Sequence, residues 1–540
     1  MTYFVSMRCS ATRRLVVGAV RLSPGLDTMT KHGSRPPTIL LVIAGSLGFV
    51  GTTSAAPPNH TELAARIDKH LSARWDAEKV KFAAMSDDAT FVRRIYLDLA
   101  GRIPTVAEAR EFLAETAPDK RAKLVARLVD SGAHFRHTAT FWRREWVPQA
   151  DTPQFASLAN DIEEWLAVKL HDRVPYDRIV RDLMTASLAK TRQETPTTFF
   201  AASEFKPENL AANTTRAFLG VNLDCAQCHD HPFARWTRDQ FWQTAAFFAR
   251  PPTGRLENVR LELTVPNTKK ILKARLLTDP QPLWPEVLKD DTGRTLLATW
   301  VTAKDNPYFA RNAVNRVWAN LFGTGLVEPL DDLSGENPAS HPELLDELAK
   351  AFADSDFDLK SLTTAIVLSK AYQLSSVLPQ GGSSDTRLFA RSAVRGLTGE
   401  QLFDSLRVAA GLPPVRPDLD PASVVQAKKQ FSEKFRIERA GTAQRSILQS
   451  LSLMNGKLMA DMTDVAKTPT LRAVADAPFL NTGGKIDALY LATLGRKPNA
   501  DELGPLVKYV EKGGADGDIG KALADVFWAV LNSSEFNTNH

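Results

Sequence analysis

One short run holds most of the chemistry that this sequence offers. Asp224-Cys225-Ala226-Gln227-Cys228-His229-Asp230-His231 contains Cys-x-x-Cys-His, the attachment pattern of a c-type haem. Two thiols at this spacing reach two vinyl groups on one edge of a porphyrin, while the adjacent imidazole swings under the ring to the iron. Cys225 and Cys228 are then the thioether residues and His229 the proximal ligand. The third of the three cysteines, Cys9, lies near the amino terminus, so the body has one pair and nothing to spare. Spacing does not supply the sixth ligand. No Met lies between Met184 and Met454, and two residues of chain cannot carry His231 around a porphyrin to face His229. His341, Met184, Met454 or Met459 must arrive through the tertiary fold, or the iron is five-coordinate.

Two other chemistries suit the same side chains. In an oxidising compartment Cys225 and Cys228 close into a small disulfide ring that needs no cofactor. Cys225, Cys228, His229 and His231 are also ligand types for zinc or iron, with His229 and His231 as the metal residues. Ligands so close together need a second segment to complete a tetrahedron. With carboxylates from a second domain, the two histidines define a third reading, a metal-dependent hydrolase.

The elements that must position the run are helical. Glu208 to Leu219 reads as a helix ending at Gly220, and Thr237 to Phe248 as another carrying Phe241, Trp242, Phe247 and Phe248. Aromatic stripes at helical spacing are core packing first and the wall of a haem crevice second. Arg216, Arg235 and Arg238 are the cations placed to meet haem propionates.

Helical periodicity continues along the chain. Thr105 to Glu108, Ser340 to Glu343 and Thr398 to Gln401 have capping-box spacing, and Asp358 precedes an apolar face of Leu359, Leu362 and Ile366. An internal echo sets Tyr96-Leu97, Gly101-Arg102, Pro104 and Glu108 against Tyr490-Leu491, Gly495-Arg496, Pro498 and Glu502 at identical spacing. It reads as one helix-turn-helix corner used twice, with structural rather than binding arginines. The pattern lapses between about Pro251 and Trp284, where Leu261 to Val265 and Ile271 to Leu277 read as short strands. Gln380 to Ser384 and Gly411 to Pro421 read as exposed connectors.

The expected fold is therefore mainly α, a helical two-domain protein with a small β insertion around 255–280. Its parts are a leader over 1–56, a first domain over 60–250, an irregular or β insertion over 251–289 and a second helical domain over 290–540. From Met29, read as the true start, Lys31 and Arg35 precede an apolar run from Ile39 to Val50 and the small residues Thr53 to Ala56. That is the layout of a secretory signal peptide, with cleavage after Ala55. No later stretch approaches the ~20 apolar residues of a membrane span. The mature protein is expected in the periplasm or at the cell surface.

The leader also explains the charge. Its six Lys/Arg and one acid, taken from totals of 67 basic and 62 acidic residues, leave residues 57–540 balanced at 61 of each. The body offers no electrostatic reason to bind nucleic acid.

At family level, residues 91–113 (FVRRIYLDLAGRIPTVAEAREFL) and 218–242 (FLGVNLDCAQCHDHPFARWTRDQFW) resemble the second planctomycete surface cytochrome-type domain, a family of unknown function. Residues 306–352 resemble the planctomycete surface domain that usually follows it, and residues 449–459 with the Tyr490 corner look like that domain's later segments. The resemblance spans about residues 60–535. Cys225, Cys228, His229, Asp230, His231, Pro232 and Phe233 match the first family's core motif, while Ala234 stands where many members carry an acid. The family name implies cytochrome character and no known activity. The second domain adds Asn306, Arg311, Asn315 and Arg316 on one helix, with Arg311 and Asn315 sharing a face, then Asp331, Asp332, Glu336 and His341. Such residues bind a cation or do acid–base work less often than they cap helices and tie loops.

The functional expectation is an exported haem c protein serving electron transfer or redox sensing, with a redox partner that the sequence does not name. The alternative is a non-haem surface scaffold with a Cys225–Cys228 disulfide, or a binder of extracellular polymer.

Overall fold

The computed structural model describes residues 58–540, apart from 153, 156–157, 188–195, 250–260, 282–291, 334, 418 and 437–445. The leader assigned to residues 1–56 lies outside the described residues. Among those described, 23 α-helices and two two-stranded sheets make the fold mainly α.

Local signals set most helix starts. Thr105 caps the helix Val106–Ala114 in a capping box with Glu108, and Thr398 does the same with Gln401 for Gly399–Ala409. Asp358 caps Leu359–Leu368. The third capping box does not form. The helix there is Pro342–Asp354, and its N-cap is His341, whose side chain makes no capping bond. Proline prefers the first helical position, which moves the cap one residue past Ser340. The expected β insertion is a hairpin of β1 (Glu262–Thr264) and β2 (Ile271–Lys273), with Leu263 opposite Leu272. A second pair, β3 (Arg395–Gly396) and β4 (Thr538–Asn539), was not foreseen.

Two hydrophobic cores result. The larger takes side chains from Leu63 through Ala390, so the helix His60–Glu78 packs on Leu359–Leu368 and Pro342–Asp354 across nearly 300 residues of chain. The smaller joins Leu97 and Ile103 to side chains from Leu397 to Phe536. The helix Asp88–Ala100 therefore serves both. Its buried Asp98 accepts from Arg395 at 2.8 and 2.9 Å, from the Tyr372 hydroxyl at 2.7 Å and from Asn539 at 2.8 Å. Its buried Arg93 donates to the Thr493 carbonyl at 2.8 Å and to the Phe536 carbonyl at 2.7 Å. Burying these charges is tolerable because each is met by several partners.

The echoed corner repeats its arginine–glutamate and arginine–tyrosine contacts. Gly101 and Gly495 end their helices at φ 69° and 72°, where a side chain would be strained. Arg102 donates to both oxygens of Glu108 at 2.8 Å and lies 5.2 Å over the Tyr96 ring. Arg496 donates to Glu502 at 2.8 and 2.9 Å and lies 5.5 Å over Tyr490. In each corner the glutamate also accepts from the backbone N–H of its capping-box partner, Thr105 or Asn499. Both arginines are structural.

Candidate functional site

The Cys-x-x-Cys-His run sits on a tight turn. Asp224–Gln227 is a 3-10 helix, and with three residues per turn side chains three apart fall on one face. Leu223 and Ala226 are fully buried and take the inner face. Cys225 and Cys228 take the other, and both are exposed free thiols. The Trp242 indole N–H donates to the Gln227 carbonyl at 3.0 Å from beneath.

What precedes the turn fixes its position. The helix Pro207–Thr214 widens into one π turn, Thr215–Leu219, and stops at Gly220 with φ 62°. A Cβ on Gly220 would stand 2.8 Å from Asn312 Oδ1 and from Leu333, so no larger residue fits. Val221 bridges antiparallel to Asp332, Leu333 N–H donates to Gly220 O at 2.8 Å, and Asn222 N–H donates to Asp331 O at 3.0 Å. A segment more than 100 residues away in sequence therefore steadies the thiol-bearing turn.

The two histidines are engaged differently. Exposed His229 pairs its Nδ1 with the Asp230 carbonyl at 2.7 Å. A carbonyl can only accept, so Nδ1 carries the proton and Nε2 keeps its lone pair. His231 turns back on its own loop: its Nδ1 accepts from Phe233 N–H at 3.2 Å, and its backbone N–H donates to Trp236 O at 2.8 Å. Pro232 and Phe233 are left exposed at the tip, Phe233 by 86%. Among the described residues no three His, Cys, Asp or Glu side chains are grouped to hold a metal ion.

The flanking aromatics are core. Phe241, Trp242, Phe247 and Phe248 are all buried, beneath the turn rather than around an open crevice. Of the three arginines, Arg216 pairs with Asp224 at 2.8 Å and Arg235 reaches the Tyr308 hydroxyl at 2.8 Å. The Nε of Arg238 is buried without a partner, while its backbone N–H donates to Asp230 at 2.8 Å. The residues considered for the sixth position are dispersed. Met184 lies in the larger core, Met459 in the smaller, and Met454 is on an exposed helix. His341 is buried beside Phe389, with ring centroids 5.5 Å apart.

The polar residues of the second half tie loops. Asn306 accepts from the N–H groups of Tyr308 and Phe309, and buried Asn315 exchanges bonds with the backbone of Val327 at 2.9 Å. Arg316 meets Glu145, Asn312 and the Arg216 carbonyl. Arg311 pairs with Asp346 at the surface, so it and Asn315 do not act together although four residues apart.

A mainly helical protein presenting two thiols and an oriented imidazole on a pinned surface turn is the class that fold and site define. The chain matches the family model described as PSCyt2, protein of unknown function (DUF1549), over residues 66–252, followed by PSD1, protein of unknown function (DUF1553), over residues 293–446. It therefore belongs to the proteins that carry this pair of domains in this order. No curated protein and no solved structure matches it.

Proposed function

We propose that the Cys225–His229 turn is a covalent haem c attachment site, and that the protein acts outside the cytoplasm, in the periplasm or at the cell surface, in electron transfer or redox sensing. The observation that carries this reading is the hydrogen bond from His229 Nδ1–H to the Asp230 carbonyl, which leaves Nε2 as a lone-pair donor beside two free thiols on one face. Cys225 and Cys228 would each add S–H across a vinyl group, and His229 Nε2 would ligate the iron. Haem c, when bound, supplies a one-electron iron couple. Arg238, with its orphaned buried Nε, and Arg235 are the cations nearest in sequence for carboxylates on the ligand. Among the described residues no helix is long and apolar enough to cross a membrane.

The test is export of the full chain into a periplasm equipped for haem attachment. A c-type absorption spectrum and an intact mass greater than the polypeptide by one haem are expected, and both should vanish in a Cys225→Ala/Cys228→Ala variant. Colourless, folded material of polypeptide mass would overturn the haem reading, and the absence of titratable thiols in it would favour the surface scaffold with a Cys225–Cys228 disulfide.

A further inference from the structure

A chamber of about 270 Å³ lies between the helices Asp88–Ala100, Gly132–Trp146, Leu158–His171 and Phe309–Phe322. No residue of the thiol turn lines it. Val129, Phe141, Trp142, Leu170 and Leu321 make its walls largely apolar. A dry cavity of roughly 150 Å³ already admits a benzene ring, so this one has room for a ring and a short substituent.

Two imidazoles stand in those walls. His134 and His137 are three residues apart on Gly132–Trp146 and so share a face. His134 Nδ1 donates to the Leu99 carbonyl at 3.1 Å, which leaves Nε2 as an acceptor. That Nε2 makes no hydrogen bond among the described residues, and it is not sealed in, whereas packing does seal the equally unpartnered Nε2 of His341. His137 makes no hydrogen bond among the described residues either, and its Nδ1 edge lies on Gly101, where a Cβ would stand 2.6 Å away. Burial holds both rings neutral at pH 7, with pKa values down to about 4 for His134 and about 3 for His137. One ring therefore accepts, and the other can donate through whichever nitrogen carries its proton.

The charges around the chamber are already matched. At its mouth Asp130 pairs with both Arg173 and Lys360, Lys304 holds Asp356, and Asp358 caps Leu359–Leu368. Deeper in, Asp98 has Arg395. An ionised guest would lose its hydration there and gain no counter-charge. We infer that this chamber binds an uncharged molecule with one aromatic ring and one hydroxyl, a phenol, whose hydroxyl donates to His134 Nε2 and accepts from His137. The apolar walls take the ring, and the paired imidazoles fix its polar end.

Titration of the full chain with 4-methylphenol, followed by side-chain nitrogen NMR of the histidines, is the direct test, with toluene and 4-methylbenzoate as contrasts. A saturable shift of the unprotonated His134 Nε2 is expected with 4-methylphenol, affinity about tenfold weaker for toluene, and weaker still for 4-methylbenzoate. Leu170→Trp should fill the chamber and weaken 4-methylphenol by more than tenfold. Should that variant misfold, His137→Phe is the second, and it should weaken 4-methylphenol several-fold while leaving toluene unchanged. No saturable response to 4-methylphenol would leave the chamber to water and sink the inference, as would undiminished binding in folded Leu170→Trp or in His137→Phe. Equal affinity for toluene would overturn the hydroxyl contact, and tighter binding of 4-methylbenzoate would overturn the uncharged assignment. None of these outcomes depends on haem.

Discussion

The Arg102 corner and the thiol turn are both short, both follow a glycine in the left-handed region, and both are rich in groups capable of chemistry. They differ in what those groups touch. At the corner, Arg102 and Glu108 meet each other, the capping backbone and a tyrosine face. At the turn, Leu223 and Ala226 are buried and the Ala226 N–H and Gln227 carbonyl are bonded, while Cys225, Cys228 and His229 are exposed. The contrast separates polar residues that the fold needs for itself from polar residues that the fold holds in readiness.

The comparison can be broken most forcefully at the corner. Glu108→Ala leaves the largely buried Arg102 guanidinium without its carboxylate and should cost about 2–3 kcal/mol in urea unfolding. Glu502→Ala should cost only about 1 kcal/mol, because Arg496 keeps Glu535 at 2.6 and 2.7 Å. Equal losses at the two sites would show that the echo in contacts is also an echo in energy and that Glu535 does not stand in for Glu502.

Buried imidazoles sharpen the contrast next. His134 donates from Nδ1 to the Leu99 carbonyl at 3.1 Å, and burial holds its pKa down to about 4. Between about pH 6.5 and 4 the unfolded chain binds a proton there that the native state refuses. Stability is therefore full above about pH 6.5 and falls as the pH drops, by about 2 kcal/mol at pH 5 from this group. Urea midpoints from pH 7 to 5 should decline, and less steeply in a folded His134→Gln variant; an identical slope in both would remove His134 from the account.

The smallest effect is expected at the turn itself. Cys225→Ala, Cys228→Ala and His229→Ala should each shift the stability of haem-free protein by less than about 0.5 kcal/mol, since the three side chains are exposed. A loss above 2 kcal/mol would place them with the corner residues, as structure.

Much of this was legible in the sequence where the determinant is local. The Thr105 and Thr398 boxes, the helix stop at Gly220 and the lapse that becomes the β1–β2 hairpin each depend on residues within a few positions. The doubled corner was readable because each Arg–Glu pair spans only six residues. Ser340 was misread because Pro342 outranks a serine two positions earlier. The pairing of β3 with β4 was hidden, since two-residue strands carry no periodicity. The bridge from Val221 to Asp332 was hidden too, because the contact joins backbone groups and leaves no trace in side-chain type. The orphaned Nε2 of His341 emerges only after packing has removed water from it.

That bridge, together with a larger core drawn from both family stretches, constrains inheritance. A gene cut between Phe248 and Gly293 would yield a front half with the reactive pair but without the segment that steadies it, and with half an oily interior laid bare. The two family stretches share that core, so recombination is expected to move them as a single cassette.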